Sequence, residues 1–253
     1  MLESPAAVLQ SQPKFGAPSR RPVTGRAARR HAAIACLIAA SLAALLGAEP
    51  GFTTMVTPGL VSAYTQKFGG GASERITGWV DFARNQKVSP RIARLIDTPG
   101  AELDALRTVN LYFKRIPFVQ DLAHWGVEDY WATPAETFAS NGGDCEDYSL
   151  AKYFLLKELG VPVGRLRITY VKAVRLNQAH MVLAYYATPG AEPLILDNLE
   201  DTVRLASERP DLVPVYSFND EDLVLVRDAC KGNPSVIRAW RDLQRKLEAE
   251  TRL

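Results

Sequence analysis

The spacing of apolar residues changes at Leu166, and that change sets the architecture. Leu150, Tyr153, Phe154, Leu156 and Leu159 are spaced for a buried helix that opens at Cys145 and is stopped by Gly160 and Pro162. From Leu166 the period is two: Leu166, Ile168 and Tyr170 share one face, as do Met181, Leu183 and Tyr185 in the next run. Strands are predicted over 165–173, 179–187, 193–198 and 213–218, an antiparallel sheet. Ahead of them, helices are predicted over Ile76–Gln86 and Ala101–Phe113, the second with an apolar stripe of Leu103, Leu106, Val109, Leu111 and Tyr112. Thr133-Pro134-Ala135-Glu136 has a capping threonine, proline in the first turn and glutamate three positions on, the signature of a helix start. Asp121–Trp131 reads as an aromatic loop, 51–71 as an extended or loose lead-in, and Pro234–Arg252 as a closing charged amphipathic helix. The fold class is α+β: N-terminal helices packed on an antiparallel sheet, with the head of the Cys145 helix at their junction.

Charge divides the chain unevenly. Lys14, Arg20, Arg21, Arg26, Arg29 and Arg30 fall in the first 48 residues against Glu3 alone, and they run into the apolar stretch Ala32–Leu46. That stretch is shorter than the span of about 20 residues that crosses a bilayer, and Gly47-Ala48 offers a cleavage point. Residues 1–48 are therefore read as a signal peptide, or as an N-terminal membrane anchor if uncleaved, and residues 49–253 as the working domain. With the leader's six bases and one acid set aside, 24 basic and 27 acidic side chains remain, a net charge of −3. A mildly acidic body excludes nucleic acid as an expected partner. Cys145 and Cys230 remain after cleavage, and Cys230, near an apparent helix start, reads as a packing residue.

The chemistry centres on Gly142-Gly143-Asp144-Cys145-Glu146-Asp147. A thiol attacks best as thiolate, and a helix N-terminus favours negative charge there. Its free amides also suit a tetrahedral oxyanion. The two glycines are expected to allow tight backbone geometry and close substrate approach. Downstream, His180 lies in one predicted strand and Asp197 ends the next. If Ala187 faces Glu192 across the turn, Val182 faces Asp197, and His180 is then one diagonal step from Asp197 on the same sheet face. Cysteine, histidine and aspartate supply a nucleophile, a base and a residue that orients the base. Asp144, Glu146 and Asp147 should raise the thiol pKa, and three carboxylates in four residues suit a hard cation such as Ca²⁺. Taken singly, each group also has a plain reading: a core cysteine, a satisfied core histidine, acids complementing a helix dipole. Trp125 and Trp131 read as core packing or groove lining, His124 as an exposed loop residue, and Arg165, Arg167 and Lys172 as a solvated strand face.

Several separated blocks resemble one family: Asp129-Tyr130-Trp131-Ala132-Thr133-Pro134, Gly143-Asp144-Cys145-Glu146-Asp147-Tyr148, Ala151-Lys152-Tyr153-Phe154, Asn177 to Tyr186 and Leu196-Asp197-Asn198. They are similar to the bacterial transglutaminase-like cysteine proteinases, specifically the LapG-type periplasmic adhesin proteases. The resemblance implies a papain-like, transglutaminase-type fold with Cys145 as nucleophile, His180 as base and Asp197 as orienter. It implies Ca²⁺ dependence, with Asp144 and Glu146 at metal-binding positions and Asp147 left open. It further implies a periplasmic endopeptidase that cleaves the N-terminal region of an RTX-type surface adhesin and so controls biofilm attachment. An inner-membrane cyclic di-GMP receptor that sequesters the protease is the implied regulatory partner. The same triad also suits a transglutaminase or a cell-wall amidase. A non-catalytic calcium-binding interaction module is the third reading.

Overall fold

The computed structural model describes residues 56–88, 101–227 and 230–253. The leader, residues 1–48, lies outside the described residues, as does the side chain of Cys230. Helix α1 (Pro58–Phe68) occupies most of the segment expected to be extended. Its start was written locally: Thr57 accepts the Leu60 N–H at 3.0 Å, and Pro58 sits at the first helical position. The glycines and threonines around it hide an amphipathic helix that buries Leu60 and Tyr64.

Helix α2 (Gly71–Val88) and α3 (Ala101–Tyr112) cover the two predicted helical stretches. Leu106 and Val109 are buried as expected, but Leu111 faces solvent at 51% exposure; the buried stripe runs on to Phe113 instead. The helical spacing of three to four residues puts Leu106, Val109 and Phe113 on one face, and Leu111 off it. A helical turn, α4 (Asp121–His124), opens the expected aromatic loop. Helix α5 (Pro134–Ser140) has the predicted start: Thr133 caps Glu136 N–H at 3.0 Å, and the Glu136 carboxylate returns to Thr133 N–H at 3.1 Å. Helix α6 (Cys145–Glu158) follows and is buried along nearly its whole length.

One seven-stranded sheet completes the architecture, in the order β4-β3-β2-β1-β5-β6-β7. Its strands are β1 (Leu166–Ala173), β2 (Gln178–Tyr185), β3 (Leu194–Leu196), β4 (Arg204–Leu205), β5 (Leu212–Phe218), β6 (Leu223–Leu225) and β7 (Cys230–Gly232). Every neighbouring pair is antiparallel. The four predicted strands form as β1, β2, β3 and β5; β4, β6 and β7 are two or three residues long, too short to show a period. Cys230 thus starts an edge strand rather than a helix. The β2–β3 register is the one the hairpin predicts, with Leu183 facing Leu196 and Tyr185 facing Leu194.

Helix α7 (Arg238–Glu250) closes the chain and buries Trp240, Leu243 and Leu247 at helical spacing. Trp240 stacks on Phe154 of α6 and meets Phe218 of β5 edge to face, with centroids 6.1 and 5.3 Å apart. At its far end the buried Glu250 carboxylate accepts from Tyr64 Oη at 2.5 Å and from Thr133 Oγ1. Burial lifts the Glu250 pKa to about 7. The C-terminal helix therefore clamps α1, the α5 cap and the sheet together. Leu243→Ala is expected to cost about 2–5 kcal/mol in urea denaturation. A loss under about 0.5 kcal/mol, typical of a surface site, would show that α7 is not part of the core.

Candidate active site

Cys145 is the first residue of α6 and is half-buried. The Tyr148 N–H to Asp144 carbonyl bond, 3.1 Å, is the first of the helix ladder. The amides of Cys145, Glu146 and Asp147 therefore have no acceptor within the helix. Asp147 is fully buried and structural in its bonding: Oδ1 accepts Ala132 N–H at 2.8 Å and Oδ2 accepts Asp144 N–H at 3.3 Å. It ties the Trp131–Thr133 strand of chain to the head of α6. Ser149, one turn on, donates to the Cys145 carbonyl (2.8 Å) or the Met181 carbonyl (3.0 Å), joining the helix to β2. The Met181 amide nearby acts in the opposite sense to burial, favouring the Cys145 thiolate.

The two glycines serve a different purpose from the one expected. A Cβ on Gly142 would stand 2.7 Å from His124 Cε1, and one on Gly143 would stand 2.8 Å from Asp147 Oδ2. They make room for neighbouring side chains, while the left-handed turn is taken by Asn141 at φ 58°. His124 is accordingly not an exposed loop residue: its ring packs over Gly142, with Nε2 2.8 Å from Ser140 Oγ. Trp131 stacks on Phe218 at 5.8 Å, and Trp125 packs between Phe68 and Tyr130, so both tryptophans are packing residues. On the strand face, Lys172 is solvated as expected, whereas Arg167 turns in to an ion pair with Asp222 at 2.5 Å.

His180 and Asp197 meet directly. His180 Nε2 lies 2.8 Å from Asp197 Oδ1, and both side chains are buried. The carboxylate must be the acceptor, so Nε2 carries the proton and Nδ1 is left as the basic nitrogen. Asp197 Oδ1 also accepts Leu199 N–H at 3.0 Å, and Oδ2 accepts from Arg209 at 2.8 Å. Burial by itself would raise this carboxyl, but the His180, Leu199 and Arg209 interactions outweigh it and hold the pKa at about 2. Cys145 and His180 share no hydrogen bond; the Cys145 thiol donates instead to Glu146 Oε2 at 3.0 Å. Burial, then the Glu146 and Asp144 charges, push the Cys145 thiol well above its ordinary value.

Carboxylates crowd the head of α6. Single oxygens of Asp121, Asp129 and Glu146 lie within 4.8 Å of one another, and so do those of Asp121, Asp144 and Asp147. Asp121 and Asp129 come from the aromatic loop, and sequence reading passed over both because nothing local links them to residues 144–147. Asp121 Oδ1 and Asp144 Oδ1 are buried with no hydrogen-bond partner. Burial of Asp121, with Asp144 and Asp129 beside it, lifts its pKa to about 7 against the pull of the Tyr130 N–H. The donor set is all oxygen and acidic, and two of its atoms lack partners, so it fits a hard divalent cation.

Comparison with known proteins identifies the family. The bacterial transglutaminase-like cysteine proteinase family (BTLCP) matches residues 70–211. The chain belongs to that family. Legionella pneumophila LapG is 38% identical, with a TM-score of 0.61 over 74% of this chain and 94% of that one. Its EGTA-treated and calcium-bound structures, also 38% identical, match at TM-scores of 0.62 and 0.60, covering 95% and 97% of their chains. No curated protein matches the sequence. As a member of this family the chain is a cysteine protease of transglutaminase-like α+β fold.

Beside α6 lies a cavity of about 290 Å³, lined by Asn110, Phe113, Phe118, Tyr148, Lys152 and Asn198 among others. The Lys152 ammonium, fully enclosed, donates to Asn110 Oδ1 at 2.8 Å, and burial lowers its pKa to about 7 against the pull of Asp197.

The crowded carboxylates dictate a pH dependence for the metal-free protein. Asp121 ionises near pH 7 in the fold but near pH 4 in the unfolded chain, and Glu146 and Asp147 are raised in the same direction. The folded state thus binds more protons across that window, so the contribution of these carboxyls to stability is full below about pH 4 and is lost toward about pH 7. Thermal midpoints in EDTA should decline across this range; a rising profile would contradict the charge crowding.

Proposed function

We propose that this chain is a calcium-dependent cysteine endopeptidase in which Cys145 is the nucleophile, His180 the base and Asp197 the residue that orients it. The observation that carries the reading is the buried 2.8 Å bond between His180 and Asp197, on the strand that Ser149 ties to the head of the Cys145 helix. In the reaction, the thiol proton passes to His180 Nδ1 and Sγ attacks the scissile carbonyl carbon. The free amides at the head of α6 receive the oxyanion. The imidazolium then protonates the departing amine, leaving a thioester that water hydrolyses with the histidine again as base.

Asp121, Asp129, Asp144 and Glu146 are the residues that would hold Ca²⁺, with Asp147 committed to backbone amides. A bound cation supplies positive charge that neutralises these carboxylates. Glu146 is then no longer a proton acceptor for the thiol, and the charges that oppose a thiolate are cancelled. The calcium-bound form of Legionella pneumophila LapG supports calcium as the ion.

The substrate class is the N-terminal region of a large RTX-type surface adhesin, and its cleavage releases attached cells from a biofilm. The basic-then-apolar leader supports export to the periplasm. There an inner-membrane cyclic di-GMP receptor would hold the protease away from its substrate.

The test is cleavage of the N-terminal region of an RTX adhesin from the same genome, with calcium and with EGTA. Wild type should yield a discrete fragment only with calcium, and Cys145→Ala should lower turnover by about 10⁴-fold or more with the fold intact. Retained turnover in Cys145→Ala would remove the nucleophile. Asp144→Ala, Glu146→Ala and Asp121→Asn should each lose calcium-dependent activity, and calcium should no longer raise their thermal midpoints. Full activity of wild type in EGTA would refute the metal requirement.

A further inference from the structure

Asp197 has two carboxylate oxygens, and only one of them faces His180. The other is taken by a buried arginine that sequence reading did not single out. Arg209 is 7% exposed, and its Nη2 lies 2.8 Å from Asp197 Oδ2. The guanidinium is itself gripped: Nε lies 3.0 Å from Asp211 Oδ1, and Nη2 lies 2.9 Å from Asp211 Oδ2. Asp211 is anchored by its carbonyl, which accepts Val174 N–H at 2.8 Å from the β1–β2 turn. Arg209 is held by its own amide to Ala206 and by its carbonyl to Leu212 N–H, both at 3.0 Å.

We infer that Arg209 is the positioning residue of the catalytic carboxylate: its guanidinium, locked by Asp211, fixes the plane of Asp197 so that Oδ1 stays aimed to accept the His180 Nε2–H. The inference rests on the Cys145–His180–Asp197 reading. A carboxylate held only through Oδ1, by His180 and the Leu199 amide, can rotate about its Cβ–Cγ bond and present either oxygen. The planar guanidinium removes that freedom, since its fork geometry is rigid and its second carboxylate partner is bidentate. With the Asp197 plane fixed, the imidazole is held as the Nε2–H tautomer, and Nδ1 stays available to the thiol. The charged groups facing the pair are Arg209 and Asp211 from one side and Lys152 of α6 from the other. Arg209 reaches Asp197 from the chain just ahead of β5, so it does not touch the reacting atoms. Its effect should fall on kcat rather than on KM.

The experiment compares wild type, Arg209→Met, Arg209→Lys and Asp211→Asn, each with calcium on the adhesin N-terminal region. Arg209→Met should lower kcat by about 10²-fold, the scale of a misplaced catalytic group, with KM within about threefold. Arg209→Lys should recover part of the loss, because an ammonium keeps the charge but not the fork. An Arg209→Met enzyme with wild-type kcat, or one whose KM rises at unchanged kcat, would overturn the assignment. Should Arg209→Met fail to fold, Asp211→Asn decides, since it keeps the arginine and loosens only its clamp. A drop of about tenfold in kcat at constant KM supports the inference, and wild-type kcat refutes it. Long-range ¹H–¹⁵N spectra of the His180 ring at pH 8.5 give a readout independent of turnover. Wild type should show one Nε2–H tautomer and the variants a mixture, whereas unchanged spectra would refute the clamp. A wild-type protein that cleaves nothing would sink the proteolysis reading, and the ring spectra would still decide Arg209.

Discussion

The seat of α6 against β2 is the contact on which the chemistry depends. Leu150, Tyr153, Leu155 and Leu156 bury the body of that helix, and Ser149 ties it to the Met181 carbonyl. A helix buried on nearly every side has little freedom to slide or rotate in a close-packed interior. Its first residue is therefore delivered to one place, beside the strand that carries His180. Asp147 completes the seating by holding the preceding loop to the helix head, and Gly143 is there because a side chain would collide with that carboxylate. Packing that looks purely structural thus sets the position of the thiol to within a side-chain rotation.

Against that rigid frame stands an electrostatic arrangement that opposes stability. Asp121, Glu146 and Asp147 are all pushed up by burial and by the Asp144 carboxylate among them, and the Cys145 thiol is pushed up with them. A fold selected only for stability would not gather carboxylates around a half-buried thiol, because ionising each one makes the next harder to ionise. Two oxygens without partners mark where the missing favourable interaction belongs. The strain is local: Asp197, a few residues of sheet away, is held near pH 2 by a complete set of donors. Two neighbouring acidic sites therefore titrate in opposite directions, one prepared to stay ionised unaided and the other needing a counter-charge.

Much of this was legible in the sequence. The change of period at Leu166, the Thr133 cap, the stops at Gly160 and Pro162 and the β2–β3 turn are all local, and they account for α5, α6 and strands β1, β2, β3 and β5. The hairpin register followed from turn length, which is why His180 and Asp197 were expected on one face. Helix α1 was missed although Thr57-Pro58 signalled it, because glycine and threonine diluted its apolar pattern. The short strands β4, β6 and β7 carry no readable period, and their pairing is imposed by the neighbouring strand.

The sequence by itself determined which residue types are on offer: a thiol at a helix head, an imidazole and a carboxylate on adjacent strands, and a run of acids around the thiol. Tertiary structure alone decided which of them meet. Asp121 and Asp129 reach Glu146 across loop and helix, and Arg209 reaches Asp197 across the end of the sheet. Asp147, left open as a ligand by the sequence, ties two backbone amides, and Gly142 forms the floor beneath His124. Contacts of this kind leave no periodic trace, because they join irregular segments whose directions are set by packing rather than by backbone repeat.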